Sequence, residues 1–426
     1  MDALILSCGT GGGHNSAGRA IQEELCARGH RVRMLNPYTL QSDALAGRID
    51  RLYVRTAQRA PRAFGAIYRA GELYRKLPLR SPVYYANRGM LGAMEDYLRE
   101  NRFDIIIMPH LFPAEILTNM KRQGLKVPKT MFVATDYCCI PFTEETDCDA
   151  YVIPSADLRQ EYAVRGIPEE RLYPLGIPVG RSFEEVCRDC AVAPGERRPE
   201  TAGDGSYILI SGGSMGAGRI EELVRLLLAH EGIWGKNGTA DGNKDDDKDN
   251  NKGNNTENDK DNKDGGADKK SVNRKIVVVC GNNRELYDRL KKRYCRQIIV
   301  VGHTDCMADY MRACDLYITK PGGLSSTEAA VCGVPLVHMP PIPGCETFNA
   351  AYFRERNMSI SCRITEKGAE EIFALLEDQK ARRAMRACQG EAVQRGAAGR
   401  ICTLAEQLAW EPEGRQEPVF RFQMGA

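Results

Sequence analysis

The chain reads as an α/β protein made of two doubly wound parallel-sheet domains, and three observations predict this. Short apolar runs that suit buried strands alternate with segments of helical period along most of its length. Two of those runs, at 2–7 and 206–211, each lead into a glycine-rich turn and then a helix, so the second half repeats the opening of the first. The length, 426 residues, also exceeds what one ordinary core accommodates.

The first strand, 2–7, runs into Cys8-Gly9-Thr10-Gly11-Gly12-Gly13-His14, and a helix follows over 15–28 with Ala17, Ile21 and Leu25 on its period. Such a turn aims free backbone N–H groups and a helix N-terminus at whatever lies above the sheet. A dinucleotide fingerprint fails here, because His14 stands where the third small residue belongs. The next strand, 31–35, also ends in Asn36 rather than an acid. No Gly-Lys-Ser/Thr follows, which excludes a P-loop. What remains is an anion- or hydroxyl-facing loop, Gly11, Gly12 and Gly13, with one titratable group, His14.

Residues 51–102 hold eleven Lys or Arg against four acids, interleaved with Leu52, Ile67, Tyr68, Leu73, Tyr84 and Tyr85. This mixture suits an anionic membrane surface, with Arg55, Arg59 and Arg62 as the candidate contacts. A helical face with its aromatic side in the core accounts for it equally. Strands follow at 103–108, 129–134, 151–153 and 172–174. Ligands of doubly wound sheets bind at the carboxyl ends of strands, and the glycine loop, His110 and Asp136 all lie at such ends. Residues 178–205, rich in proline, glycine and charge, read as the linker.

The second domain opens with Gly212-Gly213-Ser214-Met215-Gly216-Ala217-Gly218 after its first strand, then a helix at 219–230. Residues 237–273 are almost only Asn, Asp, Lys and Gly and are expected to form a disordered insert. A strand at 275–280 comes next, then one at 297–301 leading to Gly302-His303. A further strand, 315–319, leads to Lys320-Pro321-Gly322-Gly323-Leu324-Ser325-Ser326-Thr327-Glu328. Glycines and hydroxyls at the start of a helix form a diphosphate cradle, and Glu328, one turn in, is placed for ribose hydroxyls. After the strand 335–339, Glu346 and Asn349 suit the hydroxyls of a sugar.

A net charge of +2 argues against a dedicated nucleic-acid binder. No run of eighteen apolar residues and no basic leader occurs, so a cytosolic protein is expected. The sixteen cysteines read as reduced core thiols. Cys187-x-x-Cys190 lacks a second pair of zinc-site spacing, Asp147-x-Asp149 has a metal-binding form but reads as simply preceding a strand, and the Asp245-Asp246-Asp247 run reads as a solvated loop.

Five segments together resemble the monogalactosyldiacylglycerol synthases and processive diacylglycerol glucosyltransferases: 8–21 (CGTGGGHNSAGRAI), 134–137 (ATDY), 211–220 (SGGSMGAGRI), 313–337 (ACDLYITKPGGLSSTEAAVCGVPLV) and 341–350 (PIPGCETFNA). Ile140 and Phe142 stand near where many members carry His and Trp. The resemblance implies a GT-B fold, two Rossmann-like domains facing a cleft. Residues 1–180 would form the acceptor and membrane-facing domain, and 181–390 the UDP-sugar domain. Residues 391–426 would be a C-terminal helix and tail packing back toward the first domain.

The same resemblance implies an inverting, metal-independent transfer of a hexose from a UDP-sugar to diacylglycerol or a related lipid, on the inner face of the cell membrane. It places Gly213, Ser214 and Gly216 in a first phosphate loop. Lys320, Gly322, Gly323, Ser325 and Ser326 fall in a second, Glu328 at the ribose, and His303 at the uracil. Glu346 and Asn349 fall at the sugar, and His14 with Asp136 at the proton transfer. A transferase with a polyprenyl-linked acceptor, a UDP-sugar epimerase and a non-catalytic UDP-sugar sensor are the competing expectations.

Overall fold

A computed structural model describes residues 1–9, 12–59, 61–77, 79–185, 207–230 and 275–410, with the side chains of 53–55, 57–59, 61–62, 64 and 185 excepted. Gly11, the Cys187-x-x-Cys190 pair, the 237–273 insert with its Asp245–247 run, and the side chains of Arg55, Arg59 and Arg62 lie outside the described residues.

Two six-stranded sheets organise the chain. The first contains β1 (Asp2–Leu6), β2 (Arg31–Leu35), β3 (Ile105–Met108), β4 (Lys129–Val133), β5 (Ala150–Ile153) and β6 (Leu172–Pro174), in the order β2-β1-β3-β4-β5-β6. The second contains β7 (Tyr207–Ser211), β8 (Lys275–Val279), β9 (Ile299–Val301), β10 (Leu316–Thr319), β11 (Leu336–His338) and β12 (Ile360–Ser361), in the order β12-β11-β10-β7-β8-β9. Every pairing is parallel. The short β12 is the strand that sequence periodicity missed, since two residues carry no detectable alternation.

Unbroken apolar runs form these strands because both faces of each sheet are covered. In the first sheet Leu4, Leu6, Ile106 and Met108 point into one core while Ala3, Ile5, Ile105 and Ile107 point into another, the period of two expected of a strand. The second face is closed from a distance in sequence. Ile401, Cys402, Leu404 and Leu408 of the last helix, Ala397–Trp410, pack there beside Ile21 and Leu25. Arg28 reinforces this contact by donating to the Gly399 carbonyl at 2.8 Å and to Glu406 at 3.2 Å. Each such leucine or isoleucine, fully withdrawn from water, contributes roughly 1.5–3 kcal/mol.

The basic aromatic stretch folds as helices Asp43–Arg59, Pro61–Tyr74, Pro82–Asn87 and Leu91–Glu100. Its aromatics divide. The Tyr68 ring lies tilted against Phe348 of the second domain, centroids 6.3 Å apart, whereas Leu52, Ile67 and Leu73 are each more than 60 % exposed. Asp147 and Asp149 serve as ion-pair partners of Arg171 and Lys121. All fourteen described cysteines are free thiols.

Candidate functional site

The strand ends that sequence placed on one rim do converge, and the two sheets turn those rims toward each other. Between them lies a cleft of about 820 Å³. Gly12, Gly13, His14, Thr135 and Asp136 line it from the first domain. Gly213, Ser214, Lys320, Gly322, Gly323, Ser325 and Glu346 line it from the second. A larger cavity, 1,660 Å³, adjoins it and contains His303, Ser325 and Glu328.

The first helix begins at Gly12, earlier than its apolar period indicates, so His14 belongs to its first turn. Its Nδ1 lies 2.8 Å from the Pro109 carbonyl oxygen and 2.9 Å from the Thr135 hydroxyl. A carbonyl only accepts, so the proton resides on Nδ1 and the lone pair on Nε2. Burial pushes the imidazole below its ordinary value of 6.5. Asp136 and the Pro109 hydrogen bond oppose that shift, and Lys320 reinforces it. The ring is therefore uncharged at neutral pH.

His110 does different work. Its Nδ1 accepts from the Phe112 amide at 3.1 Å, capping the helix Leu111–Arg122, and its ring meets His14 edge-on with centroids 4.5 Å apart.

Glycines let the two domains touch. A Cβ on Gly323 would overlap the Thr135 carbonyl, and one on Gly12 would overlap Ser214. The Gly12 amide instead donates to Ser214 Oγ at 2.8 Å. Asp136 accepts from Asn349 Nδ2 at 2.8 Å, and Asn349 Oδ1 accepts from the Tyr137 amide at 2.7 Å.

Those bonds correct three expectations. Asn349 is fully buried and also donates to the Pro321 carbonyl, so it clamps the domains together and has no free group for a sugar. Ser326 turns away from the cleft, its hydroxyl 2.9 Å from Nε2 of buried His338, because the helix Gly323–Cys332 puts Ser325 and Ser326 on different faces. Gly216 shapes its loop with φ 54°, where a Cβ would strike the Cys280 carbonyl, and it does not line the cleft. Glu346 stays on the cleft wall but is partly spent, pairing with Lys320 and accepting from the Ile342 amide at 2.9 Å.

Glu328 is half-buried, and desolvation raises its carboxyl to about 8. Among the described residues, no three His, Cys, Asp or Glu gather into a metal site. Sequence reasoning missed two residues. Thr135 lay unassigned inside the Thr-Asp motif, and Arg19, five residues after His14 and inside the segment 8–21, was given no role although its helical position signals that it faces the cavity.

Two doubly wound domains whose strand ends and glycine loops oppose each other across a cleft define the GT-B class. The solved structures agree in fold. MurG of Acinetobacter baumannii superposes with a TM-score of 0.56 at 14% identity, over 95% of this chain and 99% of that one. UDP-GlcNAc 2-epimerase of Neisseria meningitidis reaches 0.58 at 10% identity, over 96% and 100%. Residues 14–179 match the model of the monogalactosyldiacylglycerol synthases, and 207–397 match the C-terminal domain of glycosyltransferase family 28. A processive diacylglycerol β-glucosyltransferase of Bacillus licheniformis is 23% identical over 88% of this chain and 87% of its own length. The chain belongs to this glycosyltransferase family and is an enzyme of it.

Proposed function

We propose that the protein transfers a hexose from a UDP-sugar to diacylglycerol, or a glycosylated form of it, at a membrane surface, with inversion at the anomeric carbon. The observation that carries this reading is the His14 imidazole. Its Nδ1 proton is held by Pro109, and it lies across the cleft from Gly213, Ser214 and Ser325. The acceptor oxygen attacks the anomeric carbon from the face opposite the diphosphate, and the bond to UDP breaks. The hydroxyl proton passes to Nε2 of His14, a role that typically contributes 10²–10⁴-fold.

Charge that grows on the leaving diphosphate meets backbone N–H groups and hydroxyls of the second domain's glycine loops, with Lys320 nearby. This arrangement supports transfer without a divalent metal, so rates should be equal in EDTA and in magnesium. Glu328 suits the ribose and His303 the base, both from the larger cavity. Exposed Leu52, Ile67 and Leu73 on the basic helices, with exposed Leu79 in the connection that follows them, support a lipid-facing surface. Among the described residues, no helix is long and apolar enough to cross a membrane.

The deciding experiment incubates purified protein with diacylglycerol liposomes and, separately, UDP-glucose, UDP-galactose and UDP-N-acetylglucosamine. A glycolipid of the β configuration from an α-linked donor is the expected product. Free hexose epimers, or no lipid product from any donor, would overturn the reading.

A further inference from the structure

The 1,660 Å³ cavity has walls from different domains. His303, Ser325 and Glu328 belong to the second domain. Ser16, Arg19 and Glu23 belong to the first helix, where spacings of three and four residues put them on one face. Among the described lining residues Arg19 is the one Lys or Arg, and the acids that share the cavity with it are Glu23, Asp305 and Glu328.

A nucleoside diphosphate entering this cavity therefore encounters acidic walls with a single permanent cation. Burial keeps Glu328 largely protonated near neutrality, which removes part of the repulsion. The guanidinium has five N–H donors in a planar fork, and one of them goes to Ser16 Oγ at 3.2 Å.

Position on the helix gives Arg19 a second consequence. The same helix starts at Gly12, whose amide is bonded to Ser214 of the phosphate loop, and carries His14 in its first turn. A force on Arg19 toward the second domain thus acts on His14 through a rigid element.

We infer that Arg19 is a donor-diphosphate ligand supplied by the first domain, and that its engagement holds the first helix, and His14 with it, against the second domain. The inference rests on the UDP-sugar reading of the donor.

The test measures uridine, UMP and UDP binding by calorimetry, and transfer kinetics, on the full chain and on its Arg19→Gln and Arg19→Lys variants. Loss of a charge-assisted phosphate contact should weaken UDP about tenfold or more in Arg19→Gln and leave uridine unchanged. Arg19→Lys should recover part of the loss, and kcat at saturating donor should fall in Arg19→Gln as KM rises. Equal weakening of uridine and UDP would make Arg19 a packing residue and overturn the assignment. Unchanged UDP affinity would do the same, and unchanged kcat would overturn the coupling to His14. Wild-type protein that binds no UDP would refute the donor reading itself, and this inference with it.

Discussion

Replacing Gly323 by alanine tests the closed cleft with a single methyl group. The neighbours a Cβ would meet there are the Thr135 carbonyl and the Asp136 backbone, all of the opposite domain. Within its own domain the substitution is benign. Gly323 opens a helix, where alanine is favoured over glycine by up to about 1 kcal/mol. The methyl group lies well inside the carbonyl's contact radius, so the domains must part by roughly 1 Å. That displacement stretches the Asn349 to Asp136 bond of 2.8 Å and moves His14 away from the donor wall. A misplacement of that size costs about a hundredfold, near 2.7 kcal/mol of activation free energy. The assay compares kcat for lipid glycosylation, UDP affinity and the melting temperature. The expected result is a kcat near one hundredth of wild type with melting retained, and a UDP affinity weakened no more than by loss of the Arg19 contact. A kcat within threefold of wild type would refute the claim that catalysis occurs in this interdomain contact.

Three further outcomes follow, the last from the sequence alone. His14→Gln should lower kcat by 10²–10⁴-fold with UDP binding preserved, and the wild-type acid limb of kcat/KM should fall below pH 6.5, because burial depresses the imidazole; a limb above 6.5 would contradict that environment. Glu115 is fully buried with both carboxylate oxygens unpartnered, and desolvation raises it to about 8. The native state then holds a proton the unfolded chain has released, so this group's contribution to stability is lost as pH rises from about 4.5 to about 8. Glu115→Gln should flatten that decline in melting temperature measured from pH 5 to 9, and an unchanged slope would show the group does not titrate there. Neutralising Arg55, Arg59 and Arg62 should reduce co-sedimentation with anionic liposomes, and added salt should do likewise; salt-independent binding would favour a core role for this stretch.

Much of this site was legible before the fold was known, for local reasons. A strand followed by glycines and a helix is a pattern of neighbouring residues, which is why Gly12, Gly13, Gly213, Gly322 and Gly323 were found. Ser326 and Asn349 were misplaced because a motif names residues and says nothing about their direction. Ser326 differs from Ser325 by one helical step of about 100°, enough to turn it from the cleft into the core. Asn349 has the chemistry to hold a sugar hydroxyl, but its oxygen and both donors are taken by partners that sequence does not bring near.

The amino-acid sequence by itself determined the two parallel sheets, the glycine turns at their carboxyl edges, and a histidine beside the first of them. Strand and turn formation depend on patterns within about ten residues, and those survive any arrangement of the rest. Tertiary structure alone decided what faces what. It set the Nδ1 proton of His14 against Pro109, 95 residues away. It covered the first sheet with a helix from the end of the chain, and it placed Arg19 opposite Glu328. Those outcomes depend on contacts between segments far apart in sequence, whose geometry exists only once both sheets have packed.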